Sequence, residues 1–211
     1  MKSAASILLL GDIIASREHF DPATWPIIHD GIDRLNDAFS DRLTIPLTIQ
    51  SGDTIGTVTK DVTTAVQLAV RMPAHLAGME ARIVIARGPI TFGLSTGQFK
   101  DLQGPVLWAA STTLESMKQE DRLARSLLDA PALDPALGAI LDLVLAIMTG
   151  WNARQRRLFD LADHHRQADV ARELEVTQQY VSKFLRRTDV RSVRHALSDL
   201  STLLHDAPLR P

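Results

Sequence analysis

Polar side chains with the chemistry of base recognition recur at helical spacing near the end of the chain. They are Gln178, Gln179, Ser182, Lys183 and Arg186. Steps of three and four residues place side chains on one face of a helix. Gln pairs bidentately with adenine, whereas Lys and Arg donate to guanine or to phosphate. We therefore predict that the Gln and Ser side chains contact base edges in a DNA major groove, and that Lys183 and Arg186 bind guanine or phosphate.

The apolar residues of the same segment predict the element that carries this face. Within residues 167–187 they fall at Val170, Leu174, Val176, Val181 and Phe184. This pattern is typical of two short helices that pack at a sharp angle, and it predicts a helix-turn-helix. Thr177 is the expected N-cap of the second helix. Gly is usual at the turn position, because the turn requires a left-handed backbone. In this chain the position is occupied by Glu175. The alternative is a helical hairpin that only packs against its neighbours.

The distribution of charge favours a nucleic-acid partner. Residues 151–211 contain 11 Lys and Arg against 8 Asp and Glu, whereas residues 1–150 contain 12 against 17. Arg187 and Arg191 follow the polar face and are predicted to contact the DNA backbone. Helix-turn-helix proteins usually read paired half-sites, so we predict double-stranded DNA as partner and a homodimer as the assembly.

Two carboxylates form a second candidate site. Asp12 follows the apolar run 6–10, and Asp53 lies at the tip of a predicted hairpin, 41 residues further on. If the first two strands are neighbours in a sheet, these side chains converge at one end of it. Paired carboxylates supply the hard oxygen ligands that Mg²⁺ requires when it holds the phosphates of a nucleotide. The alternative is that both are turn residues, since Gly-Asp is common at strand ends.

The elements that position these residues alternate between strand and helix. The predicted strands are 6–10, 43–49, 54–59 and 82–86, and the predicted helices begin at Pro22, Asp61 and Gly104. Pro46 indicates an edge strand or a bulge, and Gly88-Pro89 is expected to end the fourth strand. The order β-α-β-β-α-β is ferredoxin-like. We therefore predict an α+β fold followed by an all-α helix-turn-helix domain.

The chain divides into three predicted segments. These are a ferredoxin-like domain at 1–130, a connecting helix at 131–150 and a DNA-binding domain at 151–211. The connecting helix is apolar on more than one face, so it is expected to be buried on several sides or to mediate dimerisation, and Trp151 is expected to anchor it to the last segment. With no Cys and no spanning apolar run, the composition predicts a cytoplasmic protein without a membrane partner.

Five motifs together resemble the SatD family. They are GDIIASR at 11–17, SGDTIG at 51–56, IARGPI at 85–90, QGPVLWAAS at 103–111 and WNARQ at 151–155. The N-terminal part of that family is similar to class III nucleotidyl cyclase and GGDEF domains, and this likeness implies that Asp12 and Asp53 bind a metal such as Mg²⁺ with a nucleotide. Thr54 and Arg87 depart from the pattern at positions where members commonly have Glu and a small residue. These departures favour a degenerate sensor or structural domain.

Together these patterns predict a DNA-binding transcriptional regulator. No catalytic residue is predicted, because Ser16 and Ser111 have no visible base partner. The alternative is a metal-dependent enzyme that binds or processes nucleotides at Asp12 and Asp53, with the helix-turn-helix serving assembly alone. A third hypothesis joins the two, with a nucleotide at that site changing dimer geometry and hence DNA affinity.

Overall fold

A computed structural model describes residues 5–14, 23–50 and 52–206, and these form a mixed α+β fold. The strands are β1 (Ala5–Ile13), β2 (Leu43–Ile49), β3 (Thr54–Thr59), β4 (Ala81–Pro89) and β5 (Ala124–Leu127). The α-helices are α1 (Thr24–Phe39), α2 (Val62–Arg71), α3 (Pro105–Glu120), α4 (Leu133–Thr149), α5 (Ala153–Ala162), α6 (Gln167–Glu173), α7 (Gln178–Leu185) and α8 (Thr188–Asp206). The predicted helix start at Asp21-Pro22 lies outside the described residues.

The five strands form one sheet in the order β2-β3-β1-β4-β5. The first four follow the predicted ferredoxin-like order, and β1 pairs antiparallel with both β3 and β4. The expectation that the first and second strands are neighbours is wrong, because β3 lies between them. The sequence also does not predict β5, a four-residue strand parallel to β4. A parallel edge strand this short carries too few residues for a recognisable pattern.

Both faces of the sheet are buried, which explains the continuous apolar runs of its central strands. Along β1, Ile7 and Leu9 face a core that includes residues of α1 and α2. Leu8 and Leu10 face a second core that includes Val106 and other residues of α3. The sheet is therefore a rigid support for residues at its ends.

Several local features differ from or agree with the sequence prediction. The edge position of β2 and the register shifts on either side of Ile45 confirm the interpretation of Pro46. In contrast, β4 continues through Gly88 to Pro89 rather than ending before them. Trp25, near the start of α1, is 37% exposed. Asp61 caps α2 by accepting a hydrogen bond from the Thr64 N–H.

The helices that follow residue 150 share a core with the sheet. The cluster on the α1 and α2 face continues into Val170, Val181 and Phe184. Trp151 is buried, with its ring centroid 5.2 Å from that of Phe159 and 5.5 Å from that of Phe184, as expected of an anchor. Leu143 on α4 remains 62% exposed, so the connecting helix is not covered on every side. Within the described ranges, no helix combines the length and apolarity needed to cross a membrane.

Candidate nucleic-acid interface and candidate metal site

The turn between α6 and α7 has the geometry expected from its sequence. Glu175 adopts a left-handed conformation with φ of 53°. The N–H of Val176 donates to the carbonyl of Ala171 at 2.9 Å, which closes the turn. The hydroxyl of Thr177 accepts a hydrogen bond from the N–H of Tyr180 at 3.1 Å and so caps the start of α7. Local hydrogen bonds therefore set the angle at which α7 leaves the turn.

One face of α7 is buried and the opposite face carries the predicted base-reading residues. Val181 and Phe184 are buried. The side chains on the opposite face are Gln178, Gln179, Ser182, Lys183 and Arg186. All of them are exposed except Ser182, which is half-buried. The Arg186 Nε donates to the carbonyl of Ser182 at 3.2 Å, one turn earlier. Donors and acceptors on this face are thus accessible along the whole helix.

The two arginines that follow α7 differ in their surroundings. Arg187 donates from Nε and Nη2 to the two carboxylate oxygens of Asp189, at 3.1 Å and 2.7 Å. Asp189 also accepts a hydrogen bond from Trp151 Nε1 at 2.8 Å. Burial favours the neutral acid, but the hydrogen bonds from Trp151 and Arg187 outweigh it and lower the pKa of Asp189. Arg187 thus fastens the end of α7 to the core, whereas Arg191 is exposed on α8.

An open cleft of about 570 Å³ lies between the starts of α5 and α7. Its lining includes Arg154, Thr177 and Tyr180. The positive end of a helix dipole favours anions, and the exposed Arg154 adds a positive charge at the start of α5. Sequence reasoning missed Arg154 and Tyr180, because nothing in the spacing of the chain brings the two helix starts together.

The second candidate site lies at one end of the central strands. Asp12 is opposite Thr54 on β3 and Arg82 on β4. The carbonyl of Asp53 accepts a hydrogen bond from the N–H of Ile13 at 3.0 Å, which holds the hairpin tip beside the end of β1. Asp12 and Asp53 are therefore neighbours, and the charge of Asp53 acts on Asp12. They meet because β3, and not β2, pairs with β1. Arg87 lies at the other end of β1, opposite Ile7, and does not join them.

A lysine from α3 reaches the same carboxylate. Lys118 Nζ lies 3.4 Å from Asp12 Oδ2 and 3.0 Å from Glu115 Oε1. Burial raises the pKa of Asp12; the Lys118 charge opposes this rise and the Asp53 charge adds to it. No group of three or more metal-ligating side chains occurs within the described parts of the chain. Two carboxylates beside an ammonium group fit a divalent ion poorly, because the ion would be repelled by Lys118.

The raised pKa of Asp12 leads to a prediction about stability. Its ionised form costs folding free energy at neutral pH, because the folded state holds the proton more tightly than the unfolded state. We expect Asp12→Asn to increase the free energy of unfolding at pH 7, because the amide avoids the cost of burying an ionised carboxylate. The increase should shrink as the pH falls through the raised pKa towards the ordinary value of 3.8.

Urea unfolding at pH 7 and near pH 4 measures this difference. Asp199→Asn on the exposed side of α8 is the matched control and should change stability little at either pH. A gain that is equal at both pH values, or a loss of stability at pH 7, would contradict the prediction.

The chain is similar in structure to several nucleotidyl cyclase domains. No protein-family model matches it, and no curated protein matches it either. The catalytic core of a rhodopsin-guanylyl cyclase with converted specificity is 18% identical, with 55% of this chain and 73% of that chain covered and a TM-score of 0.42. The guanylyl cyclase domain of the RhoGC fusion protein from the aquatic fungus Blastocladiella emersonii is 15% identical, with 55% and 77% covered and a TM-score of 0.41. A bacterial light-regulated adenylyl cyclase is 14% identical, with 58% and 75% covered and a TM-score of 0.40.

Proposed function

We propose that this chain is a DNA-binding transcriptional regulator in which α6 and α7 form a helix-turn-helix. The observation that carries the proposal is the division of α7 into a buried apolar face and an exposed polar face. The exposed face combines amides, a hydroxyl and cations, which are the groups that pair with base edges and with phosphate. The major groove of B-DNA, about 12 Å wide, admits a helix of this kind. The left-handed Glu175 and the Thr177 cap support the proposal, because they position α7 without using its outward side chains.

Each exposed residue has a proposed role. Gln178, Gln179 and Ser182 read base edges, and Lys183 and Arg186 bind guanine or phosphate. Arg191 contacts the DNA backbone, and Arg154 binds a phosphate at the start of α5. Arg187 acts as a positioning residue, because it binds Asp189. This role differs from the direct contact with the DNA backbone that its position in the sequence suggests.

We also propose that the sheet domain belongs to a SatD-like protein and acts as a sensor or structural unit without cyclase activity. The proximity of Lys118 to Asp12 supports this role, because an internal ammonium group already lies beside the carboxylate. The exposed Leu143 of α4 supports a homodimer, because it leaves an apolar contact surface on the connecting helix. The proposed setting of such a regulator is the cytoplasm.

One observation favours the alternative, an enzyme that binds or processes nucleotides with Mg²⁺. Asp12 is held beside Asp53 although its charge opposes folding, and natural proteins tolerate such a cost mainly at functional residues. Thermal unfolding with and without Mg²⁺ and a nucleoside triphosphate separates the two hypotheses. A rise in melting temperature that is absent from Asp12→Asn supports the enzyme, and a flat response counts against it.

The proposal predicts that Gln179→Ala alters the DNA sequences that the protein selects. The amide of Gln179 is expected to pair with one adenine, and loss of a bidentate base contact relaxes discrimination by about 1–3 kcal/mol. Sequencing of fragments selected from random DNA should therefore reveal one position with a weakened preference. Gln119→Ala, on the exposed side of α3, should leave the selected motif unchanged. An unchanged motif in Gln179→Ala would show that this residue does not read a base.

A further inference from the structure

A cleft of about 280 Å³ lies between the sheet unit, which consists of β1–β5 with α1–α3, and the helices that follow it. Its walls are α2, α5 and α8, and none of its lining residues belongs to the candidate interface or to the carboxylate site. The apolar part of the lining consists of Val66, Val70, Phe159, Leu197 and Leu204. A concave apolar surface with a few polar groups at one end is the usual form of a small-molecule site.

The polar end of this cleft contains two arginines, and each lies beside a carboxylate without a hydrogen bond to it. Arg71 Nη1 lies 3.8 Å from Asp160 Oδ1, and Arg194 Nη2 lies 3.6 Å from Asp163 Oδ1. Both distances exceed those of a hydrogen bond, so each pair is an ion pair without one. Among the described residues, the Arg194 guanidinium donates no hydrogen bond, and 44% of its side chain is exposed. Its planar set of donors is therefore available to a carboxylate.

The other charged groups at this end already have hydrogen-bond partners. Arg157 donates to Asp160 at 2.8 Å and to Glu173 at 3.2 Å, so its guanidinium is occupied. Arg71 Nη2 donates to Nε2 of His164, and burial and the charge of Arg71 lower the pKa of that imidazole, so it is a neutral acceptor at neutral pH. The Arg194 guanidinium is left without a hydrogen-bond acceptor among the described residues, which suits the carboxylate of a ligand.

We propose that this cleft binds a small organic acid with an apolar body. Arg194 holds the carboxylate in a bidentate arrangement, with Arg71 as the second cation beside it. The apolar body lies between α2 and α8, against Phe159. The volume limits the ligand to about the size of a two-ring aromatic acid, since it is at the small end of ligand pockets. This site is independent of the proposed DNA-binding function, and it is tested on the protein alone.

Isothermal titration calorimetry with 2-naphthoate and with the uncharged 2-naphthamide tests the proposal on the full chain. We expect saturable binding of 2-naphthoate and binding at least about tenfold weaker for the amide, because a charge-assisted hydrogen bond contributes that much. Arg194→Met should weaken 2-naphthoate binding by a similar factor. Arg172→Met is the matched control, because Arg172 is 79% exposed on α6 and does not line the cleft, and it should bind like the wild type.

A second variant tests the location of the site without removing a charge. Ser198 lines the cleft from an exposed position on α8, so Ser198→Phe should fill the cleft while the protein still folds. Loss of 2-naphthoate binding in this variant, with an unchanged melting temperature, supports the proposal. The proposal is overturned if 2-naphthoate shows no saturable binding up to millimolar concentrations. It is also overturned if the amide binds equally well or if Arg194→Met or Ser198→Phe binds as the wild type does.

Discussion

Replacement of Lys183 and Arg186 together by alanine is expected to weaken DNA binding about a hundredfold at near-physiological salt. Both side chains lie on the exposed face of α7, where they are available to guanine or phosphate. A hydrogen bond to a charged group contributes about 1.5–3 kcal/mol, and loss of two such contacts corresponds to two orders of magnitude or more in affinity. The substitutions should leave folding intact, because neither side chain is buried.

Fluorescence anisotropy with promoter fragments, measured over a range of salt concentrations, checks this result. Each phosphate contact that is lost reduces the slope of log K against log salt by about 0.9, so the double variant should show a shallower dependence. The matched control is Arg34→Ala with Lys100→Ala, which removes the same charge from exposed positions on the sheet unit. It should bind nearly as tightly as the wild type.

Two outcomes would contradict this view of α7. Equal loss of affinity in both double variants would mean that binding depends on total charge rather than on placed contacts. A wild-type protein that binds no fragment above the non-specific level would contradict the regulator altogether. The carboxylates of Asp12 and Asp53 would then be the better starting point for assigning a function.

Features set by neighbours in the chain were predictable from the sequence. The left-handed backbone at Glu175 and the caps formed by Thr177 and Asp61 depend on residues within a few positions. Strand and helix periodicity likewise located most elements of the sheet unit, because it reflects which side of each element is buried. The mixed α+β fold followed from the order of these elements.

Features that depend on distant contacts were not predictable in the same way. Asp12 and Asp53 converge as expected, yet through β3, because periodicity does not reveal which strands pair. The approach of Lys118 to Asp12 depends on how α3 crosses the sheet. The cleft beside Arg194 depends on three helices that are far apart in sequence. Each of these arrangements is set by tertiary packing rather than by local spacing.

Arg156→Met is expected to lower the free energy of unfolding by about 3 kcal/mol, because a hydrogen bond from a charged donor contributes about 1.5–3 kcal/mol and the variant loses several of them. Arg156 is only 5% exposed. Its Nε donates to the carbonyls of Met148 and Trp151 at 3.1 Å and 3.0 Å. Its Nη1 and Nη2 donate to the carbonyls of Gly78 and Thr149 at 3.0 Å and 3.2 Å. A methionine fills similar space but satisfies none of these acceptors.

The number of transitions in the urea unfolding curve tests a second expectation. Arg156 lies on α5 yet binds carbonyls at the end of α4 and in the segment before β4, so it joins the last helices to the sheet. Since these parts also share one apolar core, we expect a single cooperative transition in urea for the wild type and for Arg156→Met, at a lower midpoint in the variant. Arg154→Met, two residues away and exposed, removes the same charge and should leave the free energy of unfolding within about 0.5 kcal/mol of the wild type. If either protein instead unfolds in two separate transitions, with the sheet retained after the helices unfold, residues 151–211 form a separate domain.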